Sequence, residues 1–76
     1  MNIESRLYEL IAKHFNKEIE EISPATSKDN IEDWDSLEHI KLMLEIEEEF
    51  KVKFSLEVIP QITNVKAIQD ELGKFL

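Results

Sequence analysis

Apolar residues return every three or four positions in three stretches of this chain, and polar segments separate them. Ile3, Leu7, Leu10, Ile11, His14 and Phe15 share one face if the first stretch is helical, so a helix is predicted over Ile3–Phe15. A second helix is predicted over Ser36–Phe50. Its start is marked by Asp35 as N-cap, with Glu38 three residues on in the manner of a capping box. Lys51-Val52-Lys53 ends it. Ser55 can cap a short helix running to Ile59, which Pro60 then limits. Thr63 or Asn64 caps a last helix, with Val65, Ile68, Leu72 and either Phe75 or Leu76 facing inward. The Asn16–Trp34 connection is long for a compact domain, and such loops are often functional. Ile19 and Ile22 are expected to plug it into the core, and Ser23-Pro24 could start a single helical turn. The sole β-like run, Val52-Lys53-Phe54, is short and has no partner. The expected fold is all-α: a small bundle of three main helices plus one short helix, in a single domain covering residues 1–76.

The second helix carries two apolar stripes. At ~100° per residue and with Leu37 at zero, Leu42, Ile46, His39, Phe50 and Met43 fall between roughly 140° and 240°. Leu37, Ile40 and Leu44 fall between roughly 300° and 360°. A helix at the edge of a bundle buries one face, so the first stripe is read as core, with His39 as a packed structural residue. The second stripe is edged by Lys41 and Glu48 on one side and Glu47 on the other, as a protein-binding surface is. The alternative is that the long connection covers Leu37, Ile40 and Leu44.

Charge adds a direction to that surface. Asp29–Glu49 holds nine acids and one base, Lys41, and the rest of the chain is balanced, so the whole net charge of −8 sits in one segment. Phosphate backbones are repelled by such a field, so nucleic-acid binding is not expected. Basic partner surfaces are attracted by it, although acids also serve plain solubility. The chain has no Cys, and His14 and His39 form no ligand cluster with metal-site spacing. Asp29–Ile40 fails as an EF-hand loop, because Ile31 and Trp34 stand where an oxygen ligand and Gly are needed. No leader is seen, and no apolar run approaches the ~18 residues of a membrane helix, so a cytoplasmic monomer without membrane insertion is expected.

Ser36 occupies the first turn of the second helix, where free backbone N–H groups and the helix dipole favour an anion. By position alone it could simply begin a helix. Asp35-Ser36-Leu37, opening a helix that closes on Glu47-Glu48-Glu49-Phe50, resembles the phosphopantetheine attachment segment of the acyl carrier protein family. Ile62-Thr63-Asn64-Val65 resembles the family's approach to its last helix, and the likeness covers essentially the whole chain. The resemblance implies 4′-phosphopantetheine on Ser36, with Asp35 and Leu37 completing the motif, and a substrate held as a thioester on the arm's thiol. It implies a carrier and not an enzyme. It also implies partner contacts through Leu37, Ile40, Lys41, Leu44, Glu47 and Glu48. The partners implied are a phosphopantetheinyl transferase and acyl-loading and acyl-transfer enzymes with basic docking surfaces, in fatty acid or specialised lipid, glycan or polyketide biosynthesis. An aminoacyl or peptidyl carrier of the same fold, or an unmodified acidic interaction module, are the competing readings.

Three positions depart from the family pattern. Lys41 stands where an acid is usual and is spaced to pair with Glu38 and Glu45. Trp34 replaces a small residue and is similar to carriers of specialised pathways. Pro60 falls in or just after the short third helix, against the family's usual length for it.

Overall fold

The structure is a computed structural model that describes residues 3–75. Three α-helices pack together: α1 (Ile3–Phe15), α2 (Ser36–Phe50) and α3 (Val65–Gly73). Two single 3-10 turns, Ile19–Glu21 and Ile59–Gln61, lie in the connections. Among the described residues there is no strand, only an isolated bridge between Ser27 and Asn64. The core takes Leu7, Ile11 and Phe15 from α1, Leu42, Met43, Ile46 and Phe50 from α2, and Val65, Ile68 and Leu72 from α3.

The stops of α1 and α2 share one device. Asn16 and Lys51 adopt left-handed φ values of 58° and 57°. The next residue in each case donates back across the helix end, Lys17 to Ala12 at 2.8 Å and Val52 to Glu47 at 3.1 Å. That wrap satisfies carbonyls which the helix itself leaves open. Neither stop uses glycine, the usual residue for this conformation.

The long connection is held at several points, but not by all the expected residues. Ile22 is buried, as are Thr26, Ile31 and Trp34, whereas Ile19 is 39% exposed and plugs nothing. Ile19 instead opens the turn Ile19–Glu21, whose leading amide, Glu18, donates to the Glu21 carboxylate at 2.8 Å. Ser23-Pro24 begins a hydrogen-bonded turn closed by Thr26 rather than a helical one. The Thr26 hydroxyl accepts from the Ser23 amide at 3.0 Å and so competes with helix formation there.

This connection is also sewn to α3. The Asn64 side chain accepts from Ala67 N–H at 2.8 Å, which makes Asn64 the cap and leaves Thr63 outside the helix. The two N–H groups before Ala67 are taken by the loop: Val65 donates to Thr26 O at 2.8 Å and Lys66 to Pro24 O at 3.1 Å. Lys28 N–H returns the exchange to Thr63 O at 3.2 Å.

The short third helix differs from expectation. Ser55 starts a turn through Val58, and the 3-10 turn follows at Ile59–Gln61 with Pro60 inside it. Pro60 is tolerated because the first turn of a helix needs no N–H there. At the other end Leu72 is buried, while Phe75 is 48% exposed and leans its ring on Phe54. Leu76 lies outside the described residues.

Candidate functional site

The site is the start of α2 and what surrounds it. Two turns deliver the chain to it: Trp34 N–H donates to Ile31 O and Asp35 N–H to Asp33 O, both at 3.0 Å. Asp35 then sits in extended conformation and caps α2, accepting from Glu38 N–H at 2.9 Å. Only that half of the expected capping box forms. The Glu38 carboxylate turns away to His14 of α1 at 3.1 Å and to Lys41 at 3.4 Å.

Ser36 is the first residue of α2 and is exposed, and among the described residues its hydroxyl has no hydrogen-bond partner. Capping by Asp35 explains this: the helix end is closed by its neighbour, so Ser36 Oγ has no structural duty. The N–H groups of Ser36 and Leu37 precede the first helical hydrogen bond, which runs from His39 N–H to Asp35 O at 2.8 Å. They add partial positive charge around the hydroxyl.

Upstream, Trp34 is buried and fixes the approach. Its indole N–H donates to His39 Nδ1 at 2.9 Å, and its ring lies 5.2 Å from Phe15. His39, 6% exposed, is core as its helical position implied. The structural part played by Trp34 was not legible in the motif. A large aromatic flanked by acids, five residues ahead of a core His, was the available signal.

A cleft of about 650 Å³ opens beside Ser36. Lys28, Trp34, Ser36, Ile40, Leu56 and Ile59 are among its lining residues. A larger cleft of about 860 Å³ lies between α1 and α2, lined by charged side chains such as Arg6, Lys13, Glu45 and Glu49. Its volume is greater, but Ser36 does not line it.

The two stripes of α2 separate as their spacing requires. His39, Leu42, Met43, Ile46 and Phe50 are buried. Leu37, Ile40 and Leu44 are 61%, 51% and 58% exposed, so the long connection does not cover them.

The acids of α2 are less free than the sequence implies. Glu49 pairs with Arg6 at 2.9 Å, and Arg6 also lies over the Phe50 ring. Glu45 meets His14 Nδ1, and among the described residues Lys41 pairs with Glu38 and not with Glu45. His14 lies on the inward face of α1 as its spacing implies, with its ring between two carboxylates of α2. Glu47 accepts from the Phe54 amide at 2.7 Å and is thereby tied to the following loop. Asp29, Glu32, Asp33 and Glu48 have no such partner among the described residues.

Repulsion among the unpaired acids should be relieved by salt. Going from 0.01 M to 1 M salt cuts the screening length from about 30 to 3 Å. The exposed pairs that salt also weakens are worth little each. The melting temperature should therefore rise, by about 5 °C for a domain of this size. A melt unchanged across that range would refute repulsion as a significant cost.

Among the described residues no group of three or more His, Asp or Glu is placed to hold a metal ion, and no helix is long and apolar enough to cross a membrane. Residues 5–72 match the family model described as the phosphopantetheine attachment site.

Proposed function

Because this chain belongs to the phosphopantetheine attachment site family, whose members carry 4′-phosphopantetheine, we propose that Ser36 is the residue that bears the arm. One observation carries the reading. The Ser36 hydroxyl is exposed and, among the described residues, unpartnered at the first position of α2, between an anchored Trp34 and a capping Asp35.

The surroundings fit such a group. A phosphodiester on Ser36 Oγ would carry a negative charge beside the free N–H groups of Ser36 and Leu37, where a helix end stabilises it. Lys28 lines the same cleft and adds a cation just ahead of the acidic Asp29–Glu49 segment. When bound, the arm supplies the thiol that a chain without Cys lacks, and with it the means to hold a cargo as a thioester.

The chain's own residues then orient and present. Asp35 fixes the helix start. Leu37, Ile40 and Leu44 offer an apolar strip for partner enzymes, with Glu48 as the unpaired acid at its rim. Glu47 and Lys41, tied up internally, shape that rim more than they steer. The chain acts as a carrier, and the chemistry belongs to its partners. We assign the cargo to the acyl class, presented in the cytoplasm by a monomer to enzymes of fatty acid or specialised lipid, glycan or polyketide synthesis. Those partners, the phosphopantetheinyl transferase included, would use basic docking surfaces, which the acidic segment attracts.

The test is incubation of the purified protein with coenzyme A and a broad-specificity transferase. Intact mass should rise by one phosphopantetheine, and peptide mapping should put the gain on the fragment containing Ser36. No gain, or a gain on another residue, would refute the assignment.

A further inference from the structure

His39 ties together three segments around Ser36. Its backbone N–H donates to Asp35 O at 2.8 Å and closes the first turn of α2. The indole N–H of Trp34 points at its Nδ1 at 2.9 Å. An indole N–H can only donate, so Nδ1 accepts and the ring proton sits on Nε2. That N–H donates in turn to the Ile59 carbonyl at 2.7 Å. The Trp34 and His39 rings also stack, with centroids 5.9 Å apart, and both are buried.

The two ring bonds reach different places. The Nδ1 bond grips Trp34, two residues ahead of Ser36 on the segment that delivers the chain to α2. The Nε2 bond grips the Ile59–Gln61 turn, which follows α2. Ser36 thus lies between two points held by one residue, Trp34 before it and the His39 backbone after it. Its own hydroxyl has no partner among the described residues, so its neighbours set where it stands. Loading depends on that place. Ser36 Oγ forms a bond to the phosphorus of coenzyme A that bears pantetheine, the P–O bond to adenosine 3′,5′-bisphosphate breaks, and the hydroxyl proton passes to a base of the transferase. A reacting atom misplaced by about 1 Å can slow such a step by about 10²-fold.

We propose that His39 is a positioning residue for loading: by accepting from Trp34 through Nδ1, it fixes where the Ser36 hydroxyl stands when the transferase engages. This rests on the reading that Ser36 bears the arm. The Nε2 bond to Ile59 is a separate tie, which supports the following turn and does not act on Ser36.

The experiment measures transferase kinetics with coenzyme A saturating and the carrier varied, on folded protein well below its melting temperature. His39→Asn and His39→Gln separate the two ring bonds, and both lose the ring and its stacking. Asparagine puts an amide where Nδ1 stood and still accepts from Trp34. Glutamine puts its amide where Nε2 stood and still donates to Ile59. His39→Gln should lower kcat by roughly 10- to 100-fold, with KM for the carrier within about twofold of the wild type. His39→Asn should keep both values within about threefold. Trp34→Phe keeps an aromatic ring and lacks the donor, so it should repeat the glutamine result. It decides alone if the His39 variants do not fold. Equal kcat losses in the two His39 variants would overturn the proposal. So would an unchanged kcat in the glutamine or phenylalanine variant, or a loss that falls on KM. Intact mass keeps the two readings apart: a wild type that gains no phosphopantetheine, or gains it away from Ser36, defeats the Ser36 assignment itself, whereas wild-type loading at Ser36 leaves the part played by His39 alone under test.

Discussion

Ser36→Ala should abolish phosphopantetheine loading and leave the fold standing. The loss should be complete, because no second exposed hydroxyl occupies the first turn of α2. The fold should survive for three reasons visible in the structure. Asp35 caps α2, so the cap bond to Glu38 is untouched. The Ser36 hydroxyl has no partner among the described residues, so nothing is stranded by its removal. Alanine is well tolerated in a helix. The melting temperature should move by no more than a few degrees while the mass gain disappears. Persistent modification of the alanine variant would place the arm elsewhere.

Leu42→Ala and Leu44→Ala should behave as opposites although they are only two residues apart on α2. Leu42 is fully buried, and truncating such a leucine costs about 2–5 kcal/mol. The whole domain, at 76 residues, has roughly 4–11 kcal/mol to lose. Leu42→Ala should lower the melting temperature by about 10–30 °C. Leu44 is 58% exposed, so its truncation creates no cavity and should change stability by no more than about 0.5 kcal/mol. Its cost should fall on function instead: slower loading by the transferase, at unchanged fold. Melts of both variants and loading kinetics of Leu44→Ala give the answer. A large stability loss for Leu44→Ala with normal kinetics would place it in the core and remove the apolar strip from the recognition surface.

Those two stripes were legible because helical periodicity alone assigns a face to each residue, and α2 is long and sharply capped. The start of α2 was legible for the same reason: Asp35 has one strong local role. What stayed hidden depends on contacts remote in sequence. His14 looks apolar by spacing, yet its ring meets Glu38 and Glu45 of another helix. Glu47 reads as a free surface acid, yet the Phe54 amide claims it. Ile19 and Ile22 have equal hydrophobicity, and only the path of the loop decides that Ile22 is buried and Ile19 is not. Trp34 stands out as a departure, but its burial against the Phe15 ring of α1 depends on the path of the loop, which no periodicity encodes.

The seam between the long connection and α3 has a consequence for how the molecule breathes. Helices ordinarily fray from their first turn, because its N–H groups lack partners within the helix. In α3 those of Val65 and Lys66 are held by carbonyls from Thr26 and Pro24, about forty residues earlier in the chain. The loop cannot lift without exposing the helix start, and α3 cannot unwind from that end without releasing the loop. The two are therefore expected to open together, whereas the cap of α2, Asp35 accepting from Glu38, is local. A partner that pried the loop away would loosen the far side of the bundle while leaving the start of α2 in place.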